Sequence, residues 1–95
     1  MLLQDKTTII YGGGGAVGGA VAKAFAREGS HVFLAGRTLE KLENVATQIR
    51  ASGGRAEAHI VNALNRDEVE AHLAAVAEKA GPVKVMFNAT SPRAR

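Results

Sequence analysis

Tyr11-Gly12-Gly13-Gly14-Gly15-Ala16-Val17-Gly18-Gly19 decides how the chain is read; six of its nine residues are glycine. It follows a β-branched run, Thr7-Thr8-Ile9-Ile10, and precedes an amphipathic helical pattern from Val17 to Glu28. A strand that stops in glycines and restarts as a helix gathers backbone N–H groups and the positive end of a helix dipole at one point. That point suits an anion, above all a dinucleotide pyrophosphate. Gly13-x-Gly15-x-x-Gly18 satisfies the GxGxxG pattern. Ordinary glycine-rich turns satisfy it too, but here a strand precedes it and a helix follows. A plain turn needs one or two glycines, and each costs up to about 1 kcal/mol relative to Ala. A P-loop is excluded, because no Lys-Ser or Lys-Thr follows the glycines.

Working outward, Lys6 to Tyr11 reads as strand one, without clean alternation, as in a central parallel strand. In helix one, Val17, Ala20, Val21, Ala24 and Phe25 form one apolar stripe, and Gly29 supplies the stop. His31 to Ala35 is strand two. Thr38 is an expected N-cap for helix two, Leu39 to Ala51, with its stripe on Leu39, Leu42, Val45, Ala46 and Ile49. Gly53-Gly54 ends it. Arg55 to Val61 is strand three, with Ala56, Ala58 and Ile60 alternating against Glu57 and His59 as at a sheet edge. Asn65 caps helix three, with Glu68 placed as in a capping box, and Val69, Leu73, Val76, Ala77 and Ala80 form its stripe. Gly81-Pro82 stops it, and Val83 to Phe87 is strand four.

Strands alternating with helices over short connections imply an α/β fold with a parallel sheet. Right-handed crossovers put helices one and two on one face and helix three on the other. The expected strand order is 3-2-1-4, the first half of a Rossmann-type three-layer fold, stopping before a fifth strand. Residues 1–91 are read as one partial dinucleotide-binding domain and 92–95 as a tail.

The bulk properties agree. Ninety-five residues with 46% apolar content suit one small globular domain. The absence of cysteine excludes disulfides, thiolate catalysis and cysteine-ligated zinc. With neither a signal-peptide pattern nor a long apolar run, the expectation is a cytoplasmic protein without a membrane partner. Net charge is +3, but the basic residues are scattered and not interleaved with aromatics, which argues against nucleic-acid binding. His31, His59 and His72 fit no metal motif and are read as surface or packing residues.

At the end of strand two stands Gly36-Arg37-Thr38. An acid there would bond a ribose 2′-hydroxyl and repel a 2′-phosphate; an Arg can pair with that phosphate through its planar fork. NADP(H) is therefore favoured over NAD(H), and a methyltransferase-type site, which offers a carboxylate there, is disfavoured.

Together these residues resemble the N-terminal part of the short-chain dehydrogenase/reductase family. Tyr11 to Gly18 lies on that family's Thr-Gly-x-x-x-Gly-x-Gly motif. Leu34-Ala35-Gly36-Arg37-Thr38 with Lys41-Leu42 resembles the strand-two end of NADP-preferring members. Val61-Asn62-Ala63 lies where the family has Asp-Val, and Phe87-Asn88-Ala89-Thr90 where it has Asn-Asn-Ala-Gly. The resemblance implies a cofactor site of Gly12, Gly14, Gly15, Val17, Gly18, Arg37, Thr38, Asn62, Ala63 and Asn88. The glycines would hold the pyrophosphate and Arg37 the 2′-phosphate. Asn62-Ala63 would flank adenine, and Asn88 would lie toward the nicotinamide ribose.

Departures from the family are Tyr11 for Thr and Ala16 for the middle Gly; an Ala at positive φ costs about 1 kcal/mol or more. Asn62 keeps an acceptor oxygen without the charge. The family's catalytic Ser and Tyr-x-x-x-Lys lie beyond its fourth strand. Here the only Tyr, Tyr11, has Gly15 four residues on, and Ser91 is at the wrong strand. No catalytic residue is assigned, and the chain is expected to be inactive alone. The basic tail Pro92-Arg93-Ala94-Arg95 resembles nothing in the family and suggests truncation or a changed reading frame. A non-catalytic nucleotide-sensing or interaction module is the alternative. Strand four is expected to leave an open apolar edge, and one helix to leave its sheet face partly uncovered, favouring self-association.

Overall fold

Every residue of Thr7–Tyr11, the strand β1, is buried, as expected of a strand covered on both faces. The computed structural model of the chain describes residues 4–12, 16–62 and 64–88. After β1 come α1 (Ala16–Arg27), β2 (His31–Gly36), α2 (Leu39–Ala51), β3 (Arg55–Ile60), α3 (Arg66–Ala80) and β4 (Val83–Asn88). The strands pair in parallel, in the order β3-β2-β1-β4. This is a Rossmann-like α/β sheet.

The period-two pleat of the central strands sends alternate side chains into two cores. Ile10, Val32, Leu34 and Ala56 meet Ala22 of α1 and Leu42, Val45, Ala46 and Ile49 of α2. Ile9, Tyr11, Phe33 and Ala35 face the other way, toward Val76 of α3 and Val61. Helices α1 and α2 therefore share one face and α3 holds the other, as right-handed crossovers require. A buried polar contact also ties β1 to the residue just before β2, Thr8 Oγ1 to Ser30 Oγ at 2.7 Å.

The helix ends follow their residue chemistry, with corrections. Gly29 has φ 94° and its N–H reaches Ala26 O at 3.0 Å. A Cβ there would meet the Gln4 backbone at 2.8 Å, so only glycine fits. Thr38 stands at the N-cap of α2, but its side chain makes no capping hydrogen bond. The opening turn of α2 is exposed, so its first N–H groups are within reach of solvent and need no side-chain cap. Asn65 caps α3 by accepting from Glu68 N at 3.1 Å. Glu68 does not complete the box: Asn65 N already donates to Asn62 O at 2.9 Å, and the Glu68 carboxylate accepts from Asn62 N at 3.0 Å.

The apolar stripes need correction at their ends. Val17 and Leu39, expected in the core, are 63% and 43% exposed. Ile60 is 63% exposed because it ends the edge strand, while Glu57 and His59 lie half-buried on the α3 face. In α3 only Val76 is fully buried; Val69, Leu73 and Ala80 are partly covered, and Ala77 is exposed. The expected apolar edge at strand four rests on side chains 84–88, outside the described ones.

Candidate functional site

The carboxyl ends of the strands are tied together by backbone bonds that run one step past the ladder. Gly12 N donates to Ala35 O at 2.7 Å, and Val61 N donates to Gly36 O at 2.7 Å. Gly12 has φ 78°, a conformation natural to glycine, and turns the chain out of β1 at once. Helix α1 starts at Ala16 with no acid in its first turn, so its N-terminus presents N–H groups without a competing negative charge. Gly18 is buried one turn into that helix. Gly14, Gly15 and Ala63, named from the sequence, lie outside the described residues.

Beside Gly12, Arg37 and Thr38 emerge from β2, both exposed. Among the described residues no carboxylate pairs with Arg37, while Arg50 and Arg55 each have one. Thr38 spends no side-chain bond on capping α2. Gly36 is close-packed: a Cβ there would meet Leu42 Cδ2 at 3.3 Å. One step further along the edge, Asn62 Oδ1 accepts from Leu64 N at 3.0 Å in a local turn. Among the described residues, one lone pair of that oxygen and its amide N–H₂ have no further partner. On the other flank, Asn88 ends β4 in register with Tyr11. The described members of the expected set therefore share the carboxyl edge of the sheet and the glycine turn beside it.

Two features were not read from the sequence. First, Val17, Leu39, Ile60 and Leu64 (63, 43, 63 and 80% exposed) form apolar surface at the same end. Leu39 opens α2, Ile60 closes β3, Val17 is second in α1 and Leu64 lies in the loop before α3, all at or beyond the ends of elements, where the partner layer no longer reaches. Second, His59 and His72, read singly, stand side by side, with Nδ1 and Nε2 2.7 Å apart. Tyr11, where the family motif has Thr, points into the α3 face; burial pushes its phenol up and its hydroxyl has no partner among the described residues.

A cavity of about 190 Å³ lies between the C-terminal parts of α1 and α2, lined by Lys23, Arg27, Gln48 and Ser52 among others. It is at the amino end of the strands and touches none of the residues above. Among the described residues, no group of three or more His, Cys, Asp or Glu could hold a metal ion. None of their helices is long and apolar enough to cross a membrane.

The chemistry at the carboxyl edge fits a dinucleotide phosphate: a helix N-terminus without an acid in its first turn, a guanidinium with no carboxylate partner among the described residues, and adjacent apolar surface. Comparison with known proteins agrees. The family model described as short chain dehydrogenase matches residues 6–93. An uncharacterised oxidoreductase of Mycobacterium tuberculosis is 47% identical over 88 residues, covering 90% of this chain and 33% of that protein. A citronellol catabolism dehydrogenase of Pseudomonas aeruginosa superposes with a TM-score of 0.85 at 32% identity, over 90% of this chain and 36% of that one. A metagenomic short-chain oxidoreductase in complex with NADP gives a TM-score of 0.86 at 29% identity, over 90% of this chain and 39% of that one. The chain thus spans a little over a third of the length of these relatives.

Proposed function

Since the chain belongs to the short-chain dehydrogenase family, we propose that it is the NADP(H)-binding part of an oxidoreductase acting between a carbonyl and an alcohol. The observation that carries the cofactor choice is Arg37: an exposed guanidinium with no carboxylate partner among the described residues, one residue past the strand end that Gly12 is bonded to. Gly12, Gly14, Gly15, Val17 and Gly18 would hold the pyrophosphate at the start of α1. Arg37 and Thr38 would take the 2′-phosphate, the guanidinium by a paired hydrogen bond and the hydroxyl by a single one. Asn62 and Ala63 would flank adenine, with Ile60 and Leu64 as apolar cover. Asn88 would face the nicotinamide ribose. When bound, the cofactor supplies the hydride-carrying carbon; the residues of this chain bind and orient it.

No group among the described residues is placed to move the substrate's proton. The one tyrosine is buried in the α3 face, and the 95 residues contain no Tyr-x-x-x-Lys. Binding without turnover is therefore expected of this chain. The test is a titration with NADPH and with NADH, repeated on Arg37→Ala. A hydrogen-bonded charge pair contributes about 1.5–3 kcal/mol, so Arg37→Ala should weaken NADPH roughly tenfold or more and leave NADH nearly unchanged. Tighter NADH binding by the wild type, or an unchanged NADPH affinity in the variant, refutes the assignment. Clear NADPH oxidation by the purified chain with a panel of ketones refutes the expected lack of turnover.

A further inference from the structure

On the sheet face covered by α3, a line of titratable groups runs from the surface into the core. Glu57 on β3 receives Lys79 Nζ of α3 at 2.6 Å, and lies 3.5 Å from both His31 Nε2 of β2 and His59 Nε2. His59 Nδ1 meets His72 Nε2 of α3 at 2.7 Å. The far nitrogen of His72, Nδ1, is buried with no partner among the described residues, as is the hydroxyl of Tyr11 on β1, whose ring stands edge-on to it at 6.1 Å. Two other charges lie nearby: Arg55 acts on His31, and Glu68 of α3 is turned to Asn62 N.

A hydrogen bond between two imidazole nitrogens needs one N–H and one lone pair. With Glu57 beside it, His59 Nε2 carries a proton, so His59 Nδ1 accepts from His72 Nε2–H. One further proton can be housed without breaking this bond. Two cannot, because both facing nitrogens would then carry hydrogen and both rings would be cationic.

We propose that the His59–His72 pair is a proton-counting latch: it holds α3 on the sheet while it carries at most one charge, and acid that adds the second releases α3 ahead of α1 and α2. The helix is suited to this because its apolar anchor is thin. Val76 is its one fully buried side chain, whereas α2 buries Leu42, Val45, Ala46 and Ile49. Burial, then the neighbouring His59, holds the His72 imidazole below its usual range. The stability tied to its neutral form is therefore present above the ordinary value of about 6.5 and is lost as pH falls through the lower folded value. His31 is lowered as well, by burial that outweighs the pull of Glu57, so a His31→Gln background removes its share.

The test is amide hydrogen exchange on the 95-residue chain at about pH 7.5 and about pH 5, corrected for intrinsic rates, with α3 read against α2. Each pH unit can change an opening constant by up to about tenfold per proton taken up. We expect α3 to lose on the order of tenfold or more of its protection relative to α2. His59→Gln, which keeps a hydrogen-bonding side chain but cannot be charged, should reduce that pH dependence to the share that burial of His72 carries alone, and an undiminished dependence overturns the latch. Should this variant fail to fold, imidazole NMR titration of the wild type decides. Both rings charged while α3 amides stay protected overturns the latch, and so does parallel loss of protection in α2 and α3. The second proton entering together with α3 opening supports it.

Discussion

Replacing Ser30 with alanine should cost more than replacing its partner Thr8 with valine, although both remove one hydroxyl from the same hydrogen bond. Ser30 Oγ–H donates to Lys6 O at 3.0 Å. A hydroxyl has one hydrogen, so in the 2.7 Å contact with Thr8 Oγ1 the donor is Thr8. Both residues are shut off from water, at 0% and 1% exposure. Ser30→Ala strands the Thr8 donor, about 1–3 kcal/mol, and loses the bond to Lys6, a further 0.5–1.5 kcal/mol or so. Lys6 O itself stays satisfied, because it also accepts from His31 N at 2.9 Å. Thr8→Val removes the donor with its bond, leaves Ser30 bonded to Lys6, and should cost about 1 kcal/mol. The double variant should be less destabilised than the sum of the two by about 1 kcal/mol or more. Urea unfolding of the four proteins measures this through the midpoints, with slopes checked for constancy. Equal costs, or additive ones, would show the bond direction argued here to be wrong. The contact matters for the site because it sits beside the Thr8–Val32 pairing that brings Tyr11 opposite Ala35.

Gly29→Ala and Gly53→Ala both place alanine at positive φ, about 1 kcal/mol each; only Gly29 also meets a backbone, at 2.8 Å. Thermal melts should show the larger loss at Gly29, and equal losses would remove the close contact from the explanation. Val76→Ala deletes buried methyl groups from the thin anchor of α3 and should cost about 2 kcal/mol in urea unfolding, more than Val69→Ala. Burial alone would raise the Glu57 carboxyl, but the Lys79 bond and charge outweigh it and hold the group below the usual carboxylate range. Its stabilisation is present above about pH 4.3 and lost as pH falls through the lower folded value. Glu57→Gln should therefore flatten the acid end of a melting-temperature profile, and an unchanged slope there would remove Glu57 from the account.

Element types and their assignment to faces were legible because each strand or helix is closed by glycine or by a cap whose chemistry is local. The burial of α3 was less legible: of its stripe only Val76 is fully buried, and much of its contact with the sheet is polar. Periodicity misplaced Val17, Leu39 and Ile60 for one shared reason. A repeat reports which side of an element a residue takes, but not whether the neighbouring layer extends that far. The His59–His72 pair has no spacing signal, since its members meet only after the chain leaves β3 and returns along α3. At the candidate site, the positions of Gly12, Arg37 and Thr38 just past the ends of β1 and β2 were readable from where the apolar runs stop. The engagement of Asn62 Oδ1 by Leu64 N was not, because an Asx turn depends on backbone angles that residue type alone does not set.

The position of β1 in the sheet has a consequence for biosynthesis. Of the elements described here this strand is the first to be made and β4 the last, yet β1 lies between β2 and β4. At roughly 5–20 residues per second, one edge of Thr7–Tyr11 waits several seconds on the ribosome for its second neighbour. Through that interval an apolar, β-branched segment with unpaired N–H and C=O groups is open to any extended chain nearby. Among these strands, the one that ends at the glycine turn is thus the one on which a chaperone would act first.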